Sequence, residues 1–208
     1  MKTLLKLLVT AAISLPATVF AAADVNTFNS KGASAFFSIT DSSECISTSV
    51  YVTASDTTGL PSGSPPAPGE AGSTMTAWIY QNDACNGTTL LDVFASDVPL
   101  AREDFEVTGN LTSANLNTSV NAYDWVSGTY IDFILNLIWT RTGPLEGANT
   151  GFVFRYPRCH MISRYRGSGG AAAASGTVEH GTTNYTPAPA LFSGINSQLT
   201  GEIMSNCE

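Results

Sequence analysis

Four arginines, Arg155, Arg158, Arg164 and Arg166, fall within twelve residues of the stretch FRYPRCHMISRYRG at positions 154–167. His160 sits among them, and Tyr156 and Tyr165 stand beside them. A guanidinium presents a planar fork of donors that matches the oxygens of carboxylate, sulfate or phosphate, and it stacks on aromatic faces. The chemistry on offer here is anion binding. Pro157 cannot donate to a central ladder and marks an edge or a bulge. After it the residues separate by strand parity. Cys159, Met161 and Tyr165 take one face, which is expected to meet a core. Arg158, His160, Ile162, Arg164 and Arg166 take the other, a basic ladder expected to face solvent, with same-face neighbours about 7 Å apart. Two uses of that ladder compete. Carboxylates such as Asp132, Glu179 or Glu202 on adjacent strands can pair with it, each pair contributing roughly a few tenths of a kcal/mol. Alternatively the arginines, with Tyr156 and Tyr165, grip the acidic groups of a glycan or of an extracellular protein.

Residues for bond making are harder to find. The chain has no G-x-S-x-G elbow, no H-E-x-x-H, no P-loop and no G-x-G-x-x-G between a strand and a helix. It has two histidines, His160 and His180, and with Glu179 they lack any diagnostic metal spacing. The acidic groups Asp41 with Glu44, and Asp97 with Glu103 and Asp104, lack the spaced loop of a strong calcium site. No catalytic residue, cofactor or metal ligand is expected. A hydrolase assembled across loops would leave no linear trace and stands as one alternative. A structural or accessory secreted protein without a ligand is the other.

The elements that must position the ladder begin after an export signal. Lys2 and Lys6, the apolar run from Leu4, Pro16 and the small residues around Ala21–Ala23 fit a signal peptide over 1–23, cleaved after Ala21 or Ala23. The run is too short and interrupted to span about 20 residues of hydrocarbon. Without Lys2 and Lys6 the chain keeps 7 basic residues against 17 acidic ones, a net charge of −10 instead of −8. Such a balance argues against nucleic acid or an anionic membrane surface as partner. Charged residues make up 12% of the chain, about half the usual share, so its polar surface is mostly hydroxyl and amide. The expected location is extracellular or periplasmic, with one domain over 24–208.

Four cysteines in an exported chain are expected to pair. Cys45 opens a strand, ISTSVYV, and Cys85 closes the next, TMTAWIY; the Pro/Gly/Ser-rich loop over 55–73 lies between them. A hairpin around that loop sets Cys45 opposite Cys85, which leaves Cys159 for Cys207. Alternation of period two recurs throughout. Ala33, Ala35 and Phe37, then Ala114, Leu116, Val120 and Ala122, then Phe133, Leu135, Leu137 and Trp139, all alternate with mainly polar neighbours. No window carries a 3.6-residue stripe, and the best helix candidate, Ala171–Ala174, is short and glycine-flanked. Many short strands of this kind predict an all-β fold, an antiparallel β-sandwich of immunoglobulin-like or jelly-roll-like type. A membrane barrel shares the alternation but fits poorly with the cysteines, the Pro-rich loop and the polar C-terminus.

The sequons at Asn86, Asn110, Asn117 and Asn184 are what Ser/Thr/Asn-rich strand surfaces produce by chance. The segments IWTRTGPLEG and ISRYRGSGGAAAASGTVEHGTTNYTP resemble those of exported bacterial all-β proteins with no assigned activity. The resemblance covers the C-terminal half and implies an exported β protein without implying a mechanism. The expected function is that of a noncatalytic extracellular binding module.

Overall fold

The computed structural model describes residues 24–40, 44–58, 72–156, 159–187 and 190–205. The expected signal peptide, Arg158 and Cys207 lie outside the described residues, and so does the expected Cys159–Cys207 bridge. The described chain is all strand and turn: β1 (Asp24–Thr40), β2 (Ile46–Thr58), β3 (Gly72–Asp83), β4 (Thr88–Leu100), β5 (Phe105–Val107), β6 (Ser113–Asp124), β7 (Thr129–Arg141), β8 (Glu146–Tyr156), β9 (Cys159–His180), β10 (Thr183–Tyr185) and β11 (Phe192–Ser205).

Period-two patterning dictates these strands. In β6, Ala114, Leu116, Val120 and Ala122 are buried, while Asn115, Asn117, Ser119 and Asn121 are exposed. In β7, Phe133, Leu135, Leu137 and Trp139 are fully buried between exposed Asp132, Ile134, Asn136 and Ile138. β2 and β3 form the expected hairpin, in register from Ile46–Asp83 to Thr57–Gly72. The Cys45–Cys85 bridge closes its open end, with Cα atoms 5.2 Å apart. The connecting loop is shorter than the 55–73 expected from composition, because β2 continues to Thr58 and β3 begins at Gly72. Asp56 and Ser73 stand opposite each other there, and Ser73 Oγ donates to Asp56 Oδ1 at 3.4 Å.

The expected two-sheet sandwich is replaced by one sheet that closes on itself. Antiparallel ladders join β1 to β2, β2 to β3, β3 to β4, β4 to β6, β6 to β7, β7 to β9, β9 to β11 and β11 back to β1. The physical reason is simple: alternation specifies one wet and one dry face, and a ring meets that demand as well as two stacked sheets do. The seam between β4 and β6 is narrow, with two register pairs, Val93–Asp124 and Phe94–Tyr123. A ring of eight strands is just wide enough for side chains to fill. Trp139, Phe37, Phe133 and Met75 do so, each 0–1% exposed. The alternation puts the apolar residues of each strand mostly inside and Ser, Thr and Asn mostly outside, apart from outward aromatics and Ile134 and Ile138, whereas a membrane barrel turns a continuous apolar band to lipid. No helix among the described residues is long and apolar enough to cross a membrane.

β9 is the longest strand, 22 residues and roughly 70 Å at 3.3 Å per residue. Its C-terminal part pairs with β7 inside the ring, from Ala172–Arg141 to His180–Phe133. Gly176 has φ +113°, and a Cβ added there would fall on the Asn136 carbonyl oxygen, so glycine is required. The N-terminal part of β9 runs on past the ring, flanked by β8 and β11, with β1 beside β11. This four-stranded arm carries the arginines.

Candidate functional site

Register identifies the face on which the basic ladder lies. Even-numbered residues of β9 line the ring interior, as the buried Val178, Ala174 and Ala172 show. Paired strands continue that face outward row by row. Gly170 stands opposite the buried Ile195, which faces Ala33, which faces Ala54. The next row is polar: Ser168, Ser197, Lys31, Asp56 and Ser73. Ser168 Oγ and Ser197 Oγ are 3.3 Å apart in it. Beyond come Arg166 opposite Asn149 and Leu199, then Arg164 opposite Gly151 and Gly201. The inner face thus changes from apolar to hydroxyl to cationic as the sheet leaves the ring.

This reverses one expectation. The parity of Cys159, Met161 and Tyr165 was expected to face the core, yet the buried residues of β9 have the parity of the arginines. Parity alone assigns two faces without saying which is inside. The arm also leaves the ring before residue 168, so no core lies beneath the arginines. The ladder is nonetheless open to solvent: Arg155, Arg164 and Arg166 are all exposed. Of the other site residues, His160 is in register with Arg155 and Ser205, Tyr156 with Cys159, and Tyr165 with Thr150 and Thr200. Arg164 and Arg166 therefore share a face with Arg155 and His160, while Tyr165 occupies the alternate position between them.

The carboxylates expected to neutralise the ladder are elsewhere. Glu202 is in register with Ser163, one residue out of step with Arg164. Glu179 lies near the far end of β9, where its carboxylate accepts from Asn184 Nδ2 at 3.5 Å. Asp132 is paired with Asn121 on β6 and β7. Among the described residues no ion pair involves Arg155, Arg164 or Arg166. Instead Arg164 has glycine in register on both flanking strands, so no side chain stands directly opposite it. A groove of about 460 Å³ lies over Gly147, Asn149, Arg166, Ser168 and Ser197. His160 and His180 lie near opposite ends of the 22-residue β9, twenty residues apart along it. No group of three metal-ligating side chains occurs among the described residues.

The opposite end of the ring holds Asp124, His180 and Tyr185, whose surroundings shift their titration. Burial alone would raise the Asp124 carboxyl. Hydrogen bonds from Ser127 and from the backbone N–H groups of Val126, Asp92 and Ser127 outweigh that and hold it below its ordinary value. These bonds close the β6–β7 turn. His180 is pushed below its usual 6.5 by burial, partly offset by the Asp124 charge, and its Nε2 has no partner among the described residues. Burial likewise raises the Tyr185 hydroxyl. Because folded His180 resists protonation, the unfolded chain takes up that proton first as pH falls. Stability is expected to drop as pH falls through about 6.5 and to level off below the folded pKa. A His180→Gln variant should show a flatter melting-temperature profile between about pH 8 and pH 5; an unchanged slope would remove His180 as the cause.

Sequence reasoning missed the glycine flanks, which only register reveals, and a cleft of about 630 Å³ between the β7–β8 connection and the start of β11. Among the described residues Glu146 is the one titratable residue that lines this cleft. No protein-family model matches the chain, and no curated protein matches it. Among solved structures, a candidate AttH protein from Nitrosomonas europaea aligns with 99% of this chain and 59% of its own, at 13% identity and a TM-score of 0.26. The chain thus spans about three fifths of that protein's length, and a likeness this distant carries neither fold nor function across.

Proposed function

We propose that the protein is an exported, noncatalytic binding module that holds an anionic polymer on the inner face of its arm. A sulfated or uronate-bearing glycan is the favoured ligand class. The observation that carries this reading is Arg164, exposed and set between Gly151 and Gly201, with Arg166 one row away over the groove. Two guanidinium forks about 7 Å apart match successive acidic groups along a chain. A net charge of −10 without the signal segment does not oppose this, because a local cationic face governs short-range contact once salt screens the remainder. The Cys45–Cys85 bridge fits an oxidising compartment, extracellular or periplasmic.

Chromatography on immobilised sulfated polysaccharide, with the unsulfated backbone as control, tests the proposal. Retention at low salt on the sulfated matrix is expected, with an affinity that falls steadily as salt rises. Passage through sulfated and uronate matrices alike at low salt would overturn it.

A further inference from the structure

A second surface lies on the outside of the ring, independent of the arm. Phe192 on β11 stands opposite Phe36 on β1, which stands opposite Tyr51 on β2, which stands opposite Trp78 on β3. The line continues: Trp78 faces Phe94 on β4, Phe94 faces Tyr123 on β6, and Tyr123 faces Tyr130 on β7. One register level therefore carries an aromatic residue on seven successive strands of the eight-stranded ring. Five of the seven have outward parity by their buried chain neighbours, Ala35, Phe37, Val50, Val52, Ala77, Ile79, Val93, Ala95 and Ala122, while Phe192 and Tyr130, in register with Phe36 and Tyr123, are 63% and 69% exposed. Twenty aromatic residues in 208 do not align this way through core packing, because none of the seven points into the core.

The rings are held and partly open. Trp78 Nε1 donates to Asp92 Oδ1 at 2.7 Å. Tyr123 meets Trp125 and Tyr130 edge-on, with centroids 4.8 and 5.1 Å apart. Trp125 and Tyr130 are 66% and 69% exposed. Hydroxyl groups and one carboxylate border the line on both sides. Ser34, Thr53 and Thr76 form one flanking row, and Ser38, Ser49, Tyr80 and Asp92 the other.

The geometry points to a binding platform for an uncharged polysaccharide, laid across the strands with sugar rings stacked on the aromatic line. Aromatic faces accept the apolar C–H faces of pyranose rings, and the flanking hydroxyls meet the sugar hydroxyls at the edges. Adjacent strands lie about 4.8 Å apart, so alternate rings are about 10 Å apart, close to one disaccharide of an extended β-1,4-linked chain. Charge selects among glycans. The residues at these register levels include Asp92, and Asp132 lies one row from Tyr130, while no Lys or Arg occupies them, so an acidic chain would be repelled. A bilayer would require an apolar band beside the aromatics, and the bordering rows are hydroxyl-bearing instead. At its β11 end the line runs into the 630 Å³ cleft, whose wall includes Phe192, Leu191 and Ser34. Because the wall of the ring curves, a straight chain engages part of the line, and the most open part surrounds Trp125 and Tyr130.

The test is depletion of the full chain from solution by insoluble cellulose and by chitin, with the Trp125→Ala/Tyr130→Ala double variant beside it. Both residues are mostly exposed, so the melting temperature should stay close to wild type. Wild type is expected to bind at least one of the two solids, the double variant to bind at least tenfold more weakly, and both to keep the same retention on a sulfated matrix. Soluble cello- or chito-oligosaccharide should also shift the tryptophan fluorescence of wild type and not of the variant. Failure of wild type to bind either solid, or equal binding by the variant, would overturn the proposal. Either result would leave the cationic face untouched, since its ligand and its variants differ.

Discussion

Trp139→Ala is expected to cost about 3–5 kcal/mol of folding free energy, the largest effect of any single truncation in the ring. The Trp139 side chain is fully buried, and its Nε1 donates to the Ser34 carbonyl at 2.9 Å, tying β7 to β1 across the interior over 105 residues of sequence. Truncation removes the largest interior side chain and that donor together. Domains are stable by about 5–15 kcal/mol in all, so much of the margin would go. Leu135→Ala, in the same interior row set, should lose about 2–5 kcal/mol. Trp139→Phe retains most of the volume and isolates the hydrogen bond, which should contribute about 1 kcal/mol. Denaturant unfolding measures all three. A loss below about 1 kcal/mol for Trp139→Ala would mean that β7 and β1 do not enclose a packed interior.

The dry faces of β1, β6 and β7 were legible because Ala33–Ala35–Phe37, Leu116–Val120–Ala122 and Phe133–Leu135–Leu137–Trp139 alternate with polar neighbours over lengths that a helix cannot accommodate. The β2–β3 hairpin was legible for a different reason: a Pro/Gly/Ser loop separates two alternating runs, and a cysteine lies at each outer end. Closure was not legible. It depends on β9 pairing with β7 in the ring and with β8 and β11 in the arm, and the Gly/Ala-rich run at 167–174 carries too little side-chain volume to signal which strand it meets.

The same limit applies to the surfaces. Parity sets Arg164 and Arg166 apart from Tyr165 along the strand, but the inside of the sheet is set by Val178 and Ala174, eight or more residues further along. The pairing of Glu202 with Ser163 instead of Arg164 is a matter of one residue in register. A one-residue slip exchanges faces, and composition does not encode it. The aromatic line is a stronger case. Phe36, Tyr51, Trp78 and Phe94 are each the outward residue between two inward apolar ones, a signal visible in each strand, whereas Tyr123 and Tyr130 each have a polar neighbour, Asp124 and Thr129. Their alignment with one another and with Phe192 emerges only once six ladders are known.

The reading of the arm stands or falls with its two guanidinium groups. Arg164→Gln/Arg166→Gln should leave the fold unchanged, since both side chains are exposed and surface substitutions rarely move stability by more than about 0.5 kcal/mol. Lys at both positions should restore part of the binding, because a point charge cannot reproduce the paired donors of the fork. The most direct measurement is the affinity of wild type and of the Gln double variant for one sulfated polysaccharide, followed as salt rises through about 0.15 M, where charges are screened within about 8 Å. The predicted result is measurable binding by wild type that weakens with salt, and its loss in the double variant at every salt concentration. Equal affinity in the two proteins, or no binding by wild type at low salt, would contradict it.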